Sequence, residues 1–194
     1  MINFNSLLEI FMMLSTLIYS YLILYCKRSA FIFGIIASGV MSYILFESGV
    51  PIQASLHLIY IIVYLYSFII WGKKNGELGI SNMSKKMWIV LISYILIFSL
   101  VMGGVFSKIG TSSAYIDAFS AACSMSAVFL LSMKIIENSY IFIASNIASI
   151  YICYMTNDKT AIISFFIYMI FNIIRQYKWE KIRNERGEEN DRNF

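Results

Sequence analysis

Long apolar runs alternate with short polar breaks along the chain, and the length of the runs decides how they are read. An α-helix needs about 20 residues to cross ~30 Å of hydrocarbon. Runs of that order cover residues 7–26, 30–46, 52–71, 87–106, 116–133, 139–155 and 160–177, which predicts seven membrane helices, the second and sixth being the shortest. The polar, Gly-containing stretch 72–86 reads as a linker between the third and fourth helices. The helices therefore group as three, one and three. After Trp179 the sequence EKIRNERGEENDRNF mixes charges without an apolar period, which predicts a short helical extension followed by disorder.

Composition agrees with this pattern. Apolar residues make up 59% of the chain, aromatics 16% and charged residues 13%, and the mean hydropathy is +0.73, well outside soluble composition. The sequence predicts an all-α, multi-pass integral membrane protein of the cell (inner) membrane. Its first segment lacks a small-residue cleavage pattern and more spans follow, so it is expected to be retained. Lys27, Arg28, Lys73, Lys74, Lys85, Lys86, Lys134 and the stretch from Arg175 to Arg192 place thirteen of the fifteen Lys and Arg on one side. Only Lys108 and Lys159 fall on the other. Cytoplasmic loops carry the basic excess, so the amino terminus is expected outside and the carboxyl terminus in the cytoplasm. A net charge of +4, spread over loops and a tail, does not indicate a nucleic-acid partner; the expected partners are membrane lipid and a small molecule. Cys26, Cys123 and Cys153 have neither disulfide nor zinc spacing and read as packing residues. Trp71, Trp88 and Trp179, near predicted cytoplasmic ends, read as an aromatic belt.

Laying the halves over one another shows matches about 108 residues apart: Glu9 with Asp117, Lys27 with Lys134, Ile32-Phe33 with Ile141-Phe142, and Trp71 with Trp179. Four helices separate the copies in register, so both repeats face the same way, the parallel arrangement of SWEET-type transporters. The organisation expected is a first three-helix repeat over 1–72, a linker and connecting helix over 73–110, a second repeat over 111–179, and a cytoplasmic tail over 180–194.

Transport sites in such folds lie near the bilayer midplane between the repeats, so polar residues inside helices are the candidates for substrate binding. Asn146 falls near the middle of the sixth run, where an amide without water must find a partner. Helical spacing puts Phe142, Ser145, Asn146 and Ser149 on one face, an aromatic wall beside hydrogen-bonding groups. The alternative is that Asn146 and Ser149 bond a neighbouring helix. The fifth helix carries a stripe of Asp117, Ser120 and Ser124 on a slim, alanine-rich surface, and the third carries Gln53, His57, Tyr60 and Tyr64. His57, the sole histidine, can hydrogen-bond a ligand or a neighbour but cannot build a metal site alone. The seventh contributes Tyr168, Asn172 and Arg175, with Arg175 expected to snorkel to the interface.

Glu9, Glu47, Glu77, Asp117, Glu137 and Asp158 lie in loops or at helix ends and the other carboxylates in the tail. No midplane carboxylate is offered for a proton relay or sodium ligand, and no GxxxxGK[ST] loop for nucleotide hydrolysis. Facilitated diffusion is therefore expected, with no catalytic residues, metal or cofactor. The competing class is a membrane assembly protein without transport.

The run from Asp117 to Asn146, DAFSAACSMSAVFLLSMKIIENSYIFIASN, resembles without gaps the D(S/A)…LM..K..ENW..W...N signature of the nicotinamide riboside transporters of the PnuC family. Phe33-Gly34, the aromatic third helix ending at Trp71, and Asn172 with Arg175 extend the likeness over nearly the whole chain. The resemblance implies a SWEET-like 3+1+3 fold that allows a homotrimer. It would pass a phosphate-free vitamin precursor down its gradient to a downstream cytosolic kinase that traps it. Phe142 and Asn146 match the second Trp and the Asn of that family's pocket, and Asn172 an Asn of its last helix. Ser139 and Phe142 stand where the family has two Trp, Ala37 where it has Asn, and His57 and Tyr64 where its third helix has Gln and Asn. Relatives of the family carry thiamine, riboflavin or deoxynucleosides, which are the alternative substrates.

Overall fold

The structure, a computed structural model, describes residues 4–47, 51–73, 79–108, 110 and 113–191, with side chains over 7–47, 54–72, 79–108, 110 and 113–185. Its helices are α1 (Phe4–Leu24), α2 (Ala30–Glu47), α3 (Pro51–Lys73), α4 (Lys85–Lys108), α5 (Ala114–Ser132), α6 (Asn138–Met155) and α7 (Lys159–Asp191). Each of the seven apolar runs is helical. Among the described residues six helices have the length and hydropathy to cross a bilayer. The exception is α6, which is long enough but carries Asn138, Ser139, Ser145, Asn146 and Ser149.

Two expectations change at the polar ends. α7 does not stop shortly after Trp179 but continues as one 33-residue helix to Asp191. Glu, Lys and Arg are good helix formers that need no apolar face, and Gln176 donates to Glu180 one turn ahead at 3.0 Å. The linker is also not wholly free of structure. Residues 74–78 lie outside the described residues, but Ser81 forms a parallel backbone bridge with Ile135, and we refer to residues 81–83 as the strap.

The chain divides into two compact units, Met1–Gly79 and Ile80–Phe194. In the first, α1 packs on α2 and α2 on α3. Its centre is aromatic: Tyr19 and Tyr64 lie 5.3 Å apart, Phe31 meets Tyr64 at 6.1 Å, and Trp71 stands edge-on to Phe31 at 4.8 Å. Gly34 makes room for this, since a Cβ there would sit 3.1 Å from the Tyr64 ring and 3.2 Å from Tyr19. Ser42 of α2 donates to the Ala54 carbonyl of α3 at 3.0 Å. Arg28, in the α1–α2 turn, covers the Phe68 ring at 4.4 Å.

In the second unit each helix packs on the next, α4 through α7. The slim surface of α5 lets it lie between α4 and α6 with Ala114, Ala118, Ala122, Cys123 and Ala127 buried. A core of Met83, Leu91, Ile95, Ala122, Cys123, Ala127, Leu130, Ile135 and Ile141 joins the strap, α4, α5 and α6, with Phe142 packed at its edge. Trp71 and Trp179 are buried and Trp88 half-buried. The first two are therefore core residues rather than an aromatic belt, which would face lipid.

α1, α5 and α6 end the same way. Cys26, Lys134 and Asn157 take positive φ of 53°, 53° and 60°. The next residue's N–H reaches back to the last helical turn, Lys27 to Leu22, Ile135 to Leu130 and Asp158 to Cys153, which satisfies carbonyls the helix leaves open. Cys26 and Lys134 stand 108 residues apart.

Gly103 and Gly104 give a direct test of the α4–α5 packing. A Cβ on Gly103 would overlap the Tyr115 ring, with Cγ at 2.8 Å, whereas one on Gly104 meets nothing within 4 Å. Gly103→Ala is expected to lower the thermal midpoint of detergent-solubilised protein by several degrees, consistent with overpacking costs of about 1–3 kcal/mol. Gly104→Ala should leave it unchanged or raise it, since Ala favours a helix interior by roughly 0.5–1 kcal/mol.

Candidate functional site

The polar side chains of α6 face two ways. Ser145 and Ser149 meet Ser120 of α5: the Ser120 hydroxyl lies 3.2 Å from that of Ser145 and 2.8 Å from that of Ser149, and Ser145 donates to the Ser120 carbonyl at 3.0 Å. These hydroxyls join α5 to α6. Ser139, Phe142 and Asn146 occupy the adjoining stripe, and the first two meet α7.

Their partner is Arg175. Its Nε donates to the Ser139 hydroxyl at 3.1 Å and one terminal nitrogen donates to Asn172 Oδ1 at 2.6 Å. The guanidinium carbon stands 5.1 Å from the Phe142 ring centroid. Ser139 is 0% exposed, Arg175 5% and Asn172 7%. Arg175 therefore does not snorkel outward but is folded in against α6, because Ser139 at the head of α6 and Asn172 one turn along α7 supply acceptors nearer than the interface. Hydrogen bonds to a charged group contribute about 1.5–3 kcal/mol each, and the ring adds a cation–π attraction.

Asn146 lies one turn beyond Phe142. It is 7% exposed, and its Nδ2 is buried without a hydrogen-bond partner among the described residues. A short turn, Thr156 to Asp158, joins α6 to α7 and makes them antiparallel. Asn172 and then Tyr168 therefore step along α7 in the direction in which Phe142 and then Asn146 step along α6.

The structure thus brings Phe142, Asn172 and Arg175 together, with Asn146 on the same α6 stripe. Tyr168 is half-buried with its ring edge-on to Phe165, and Ser149 is engaged with Ser120. Ser124 donates back to Ala121 of its own helix at 3.0 Å. His57 and Tyr64 belong to the first unit. Tyr64 sits in its aromatic centre, and half-buried His57 stands edge-on to Tyr60 at 5.4 Å, its Nδ1 buried without a hydrogen-bond partner among the described residues. The Gln53 side chain lies outside the described residues. Asp117 accepts from Ser113 at 2.8 Å. Among the described residues no group of His, Cys, Asp and Glu is arranged for a metal ion. Sequence reasoning missed Ser139 as an anchor for Arg175; the signal at hand was that Ser139 stands at the first of the two Trp positions of the family signature.

A model of the nicotinamide mononucleotide transporter family matches residues 6–181. The chain belongs to that family. It is a multi-pass membrane transporter, not an enzyme. A crystal structure described as that of the vitamin B3 transporter PnuC is similar in fold, with a TM-score of 0.76 over 93% of this chain and 83% of that one at 16% identity. No curated protein matched the chain. In this family member α7 carries the buried guanidinium of Arg175, α6 the buried amide of Asn146, and the hydroxyls of Ser120, Ser145 and Ser149 bond α5 to α6.

A double-mutant cycle tests the scaffold. Ser120→Ala and Ser149→Ala, singly and together, should give a coupling of about 0.5–1.5 kcal/mol in thermal or denaturant stability, the range for interhelical hydroxyl bonds in membranes. Additive effects would mean the hydroxyls do not hold the helices together.

Proposed function

We propose that this transporter carries a nucleoside-like vitamin B3 precursor, nicotinamide riboside first among candidates, across the cell membrane by facilitated diffusion. The observation that carries the reading is the Asn146 amide: a buried donor without a partner costs about 1–3 kcal/mol, and a substrate carbonyl or hydroxyl would repay it. Half-buried Phe142, one turn away, offers a ring for a flat heterocycle. Asn172 offers hydrogen bonds to a hydroxylated edge, and the buried Arg175 that it holds places a positive charge beside it. His57, Tyr64 and Gln53 on α3, and Tyr168, Ser149 and Ser124, complete the wider set of candidates.

The rest of the reading follows the family. Transport proceeds by alternating access of two parallel repeats, α1–α3 and α5–α7; the sequence matches about 108 residues apart support that pairing. α6 is the seventh crossing, the amino terminus is outside and the carboxyl terminus cytoplasmic. A cytosolic kinase traps the imported molecule, and the assembly is a homotrimer. Ser139 and Phe142 in place of two Trp give a second reading some weight: a pocket built this way suits thiamine, riboflavin or a deoxynucleoside as well.

Uptake of labelled nicotinamide riboside, thiamine, riboflavin and deoxynucleosides into proteoliposomes separates these readings. Nicotinamide riboside is expected to enter fastest. Asn146→Ala should cut uptake of the preferred substrate about tenfold, the equivalent of ~1.4 kcal/mol. Equal uptake by Asn146→Ala and the parent would make the amide scaffolding, and no uptake of any of the four would remove the reading.

A further inference from the structure

The Lys134, Glu137-Asn138 spacing stands out in the sequence, and the three residues lie where α5 turns into α6. Lys134, in the left-handed region, ends α5 and turns the chain directly into α6. The turn is buried: Ile135 is 3%, Ile136 2% and Asn138 0% exposed. Asn138 Nδ2 donates to the Ile135 carbonyl and closes the turn on itself.

The strap is fastened to this turn by three bonds. Ser81 N–H donates to the Lys134 carbonyl at 3.1 Å, Ile136 N–H donates to the Ser81 carbonyl at 3.0 Å, and Met83 N–H donates to Glu137 Oε2 at 3.0 Å. The Met83 side chain enters the core beside Ile135 and Ile141. On its other side, Asn82 Oδ1 accepts from Arg183 of α7. Residues 81–83 are thus tied to both helices that build the cluster. One attachment is two residues before Ser139 on α6, the other two turns past Arg175 on α7.

From this juxtaposition we propose that Glu137 is the positioning residue of the transport site: its carboxylate holds the strap against the head of α6 and so keeps Ser139 and Phe142 in register with Arg175. A carboxylate suits the place. It meets a backbone N–H with a charge-assisted bond and sits at the N-terminal end of α6, where negative charge is favoured. The Ser139–Arg175 bond tolerates only a few tenths of an ångström before it weakens, so slack in the turn reaches the cluster directly. The functional half of this proposal rests on the Phe142–Asn146 site being the substrate site; the structural half does not.

The test keeps the two halves apart. In purified full-length protein carrying Phe142→Trp, the added emission reports the surroundings of Arg175 without ligand, and titration with nicotinamide riboside reports affinity. Adding Glu137→Ala should shift that emission and raise Kd about tenfold. Glu137→Gln, which keeps an oxygen for the Met83 N–H, should leave the emission in place and Kd within about threefold of the parent. Should Glu137→Ala not fold, Arg183→Ala releases the strap from its exposed side and should shift the emission in the same direction, with about a threefold rise in Kd. Unchanged emission in the folded variants overturns the proposal, as does a shifted emission with unchanged Kd, or a Glu137→Gln protein as impaired as Glu137→Ala. If emission shifts as expected while the parent binds no nicotinamide riboside, the positioning stands and the substrate reading falls.

Discussion

A hydrocarbon surrounding offers a polar side chain no water, so each guanidinium, amide or hydroxyl at membrane depth must be matched by another group of the protein. The pairing of Arg175 with Ser139 and Asn172 is the sharpest instance here. It folds a charged side chain inward from α7, sets the separation of α6 and α7 at their polar end, and fixes which face of Phe142 lies under a cation. Ser139 is the second residue of α6, so the start of that helix and the fate of the charge are one question.

The composition of α6 follows from the same requirement. A helix serving only to span would be apolar throughout, like α4, which has the highest hydropathy of the candidate spans. α6 instead spends Ser145 and Ser149 on α5 and Ser139 on α7, and leaves the Asn146 donor unmatched. Small side chains on α5 let that helix approach closely enough for hydroxyl contacts, and the buried turn after Lys134 holds the two in place. Among the described residues Asn138 Oδ1 is also buried without a partner, but it lies in the closed turn at the head of α6, whereas the Asn146 donor lies mid-helix, where we propose that a transported molecule matches it.

Much of this was legible in the sequence, because helix formation in lipid depends on apolar length, and apolar length is local. The seven runs became the seven helices, and the family signature from Asp117 to Asn146 gave the membership that the family model supports. The errors lie where the cause is distant in sequence or lacks a period. Arg175 near the end of an apolar run reads as an interface residue; its acceptor on α6 lies 36 positions earlier. Trp71 and Trp179 read as belt residues by position along the helix, but burial depends on which side of the helix they occupy. The charged extension of α7 is helical through residue propensity and polar contacts such as Gln176 to Glu180, which leave no apolar stripe to read. Two of the strap's bonds join backbone groups, which have no residue signature, and its two side-chain bonds, to Glu137 and from Arg183, reach 54 and 101 positions along the chain.

These features support one proposal, that the cargo is recognised by the stripe of α6 that faces α7. An experimental structure of the full-length protein in lipid with nicotinamide riboside bound tests this most directly. The account predicts a ligand oxygen within hydrogen-bond distance of Asn146 Nδ2, the heterocycle against the Phe142 ring, and Arg175 still held by Ser139. Density for the ligand elsewhere, with Asn146 Nδ2 bonded to a neighbouring helix instead, would contradict it.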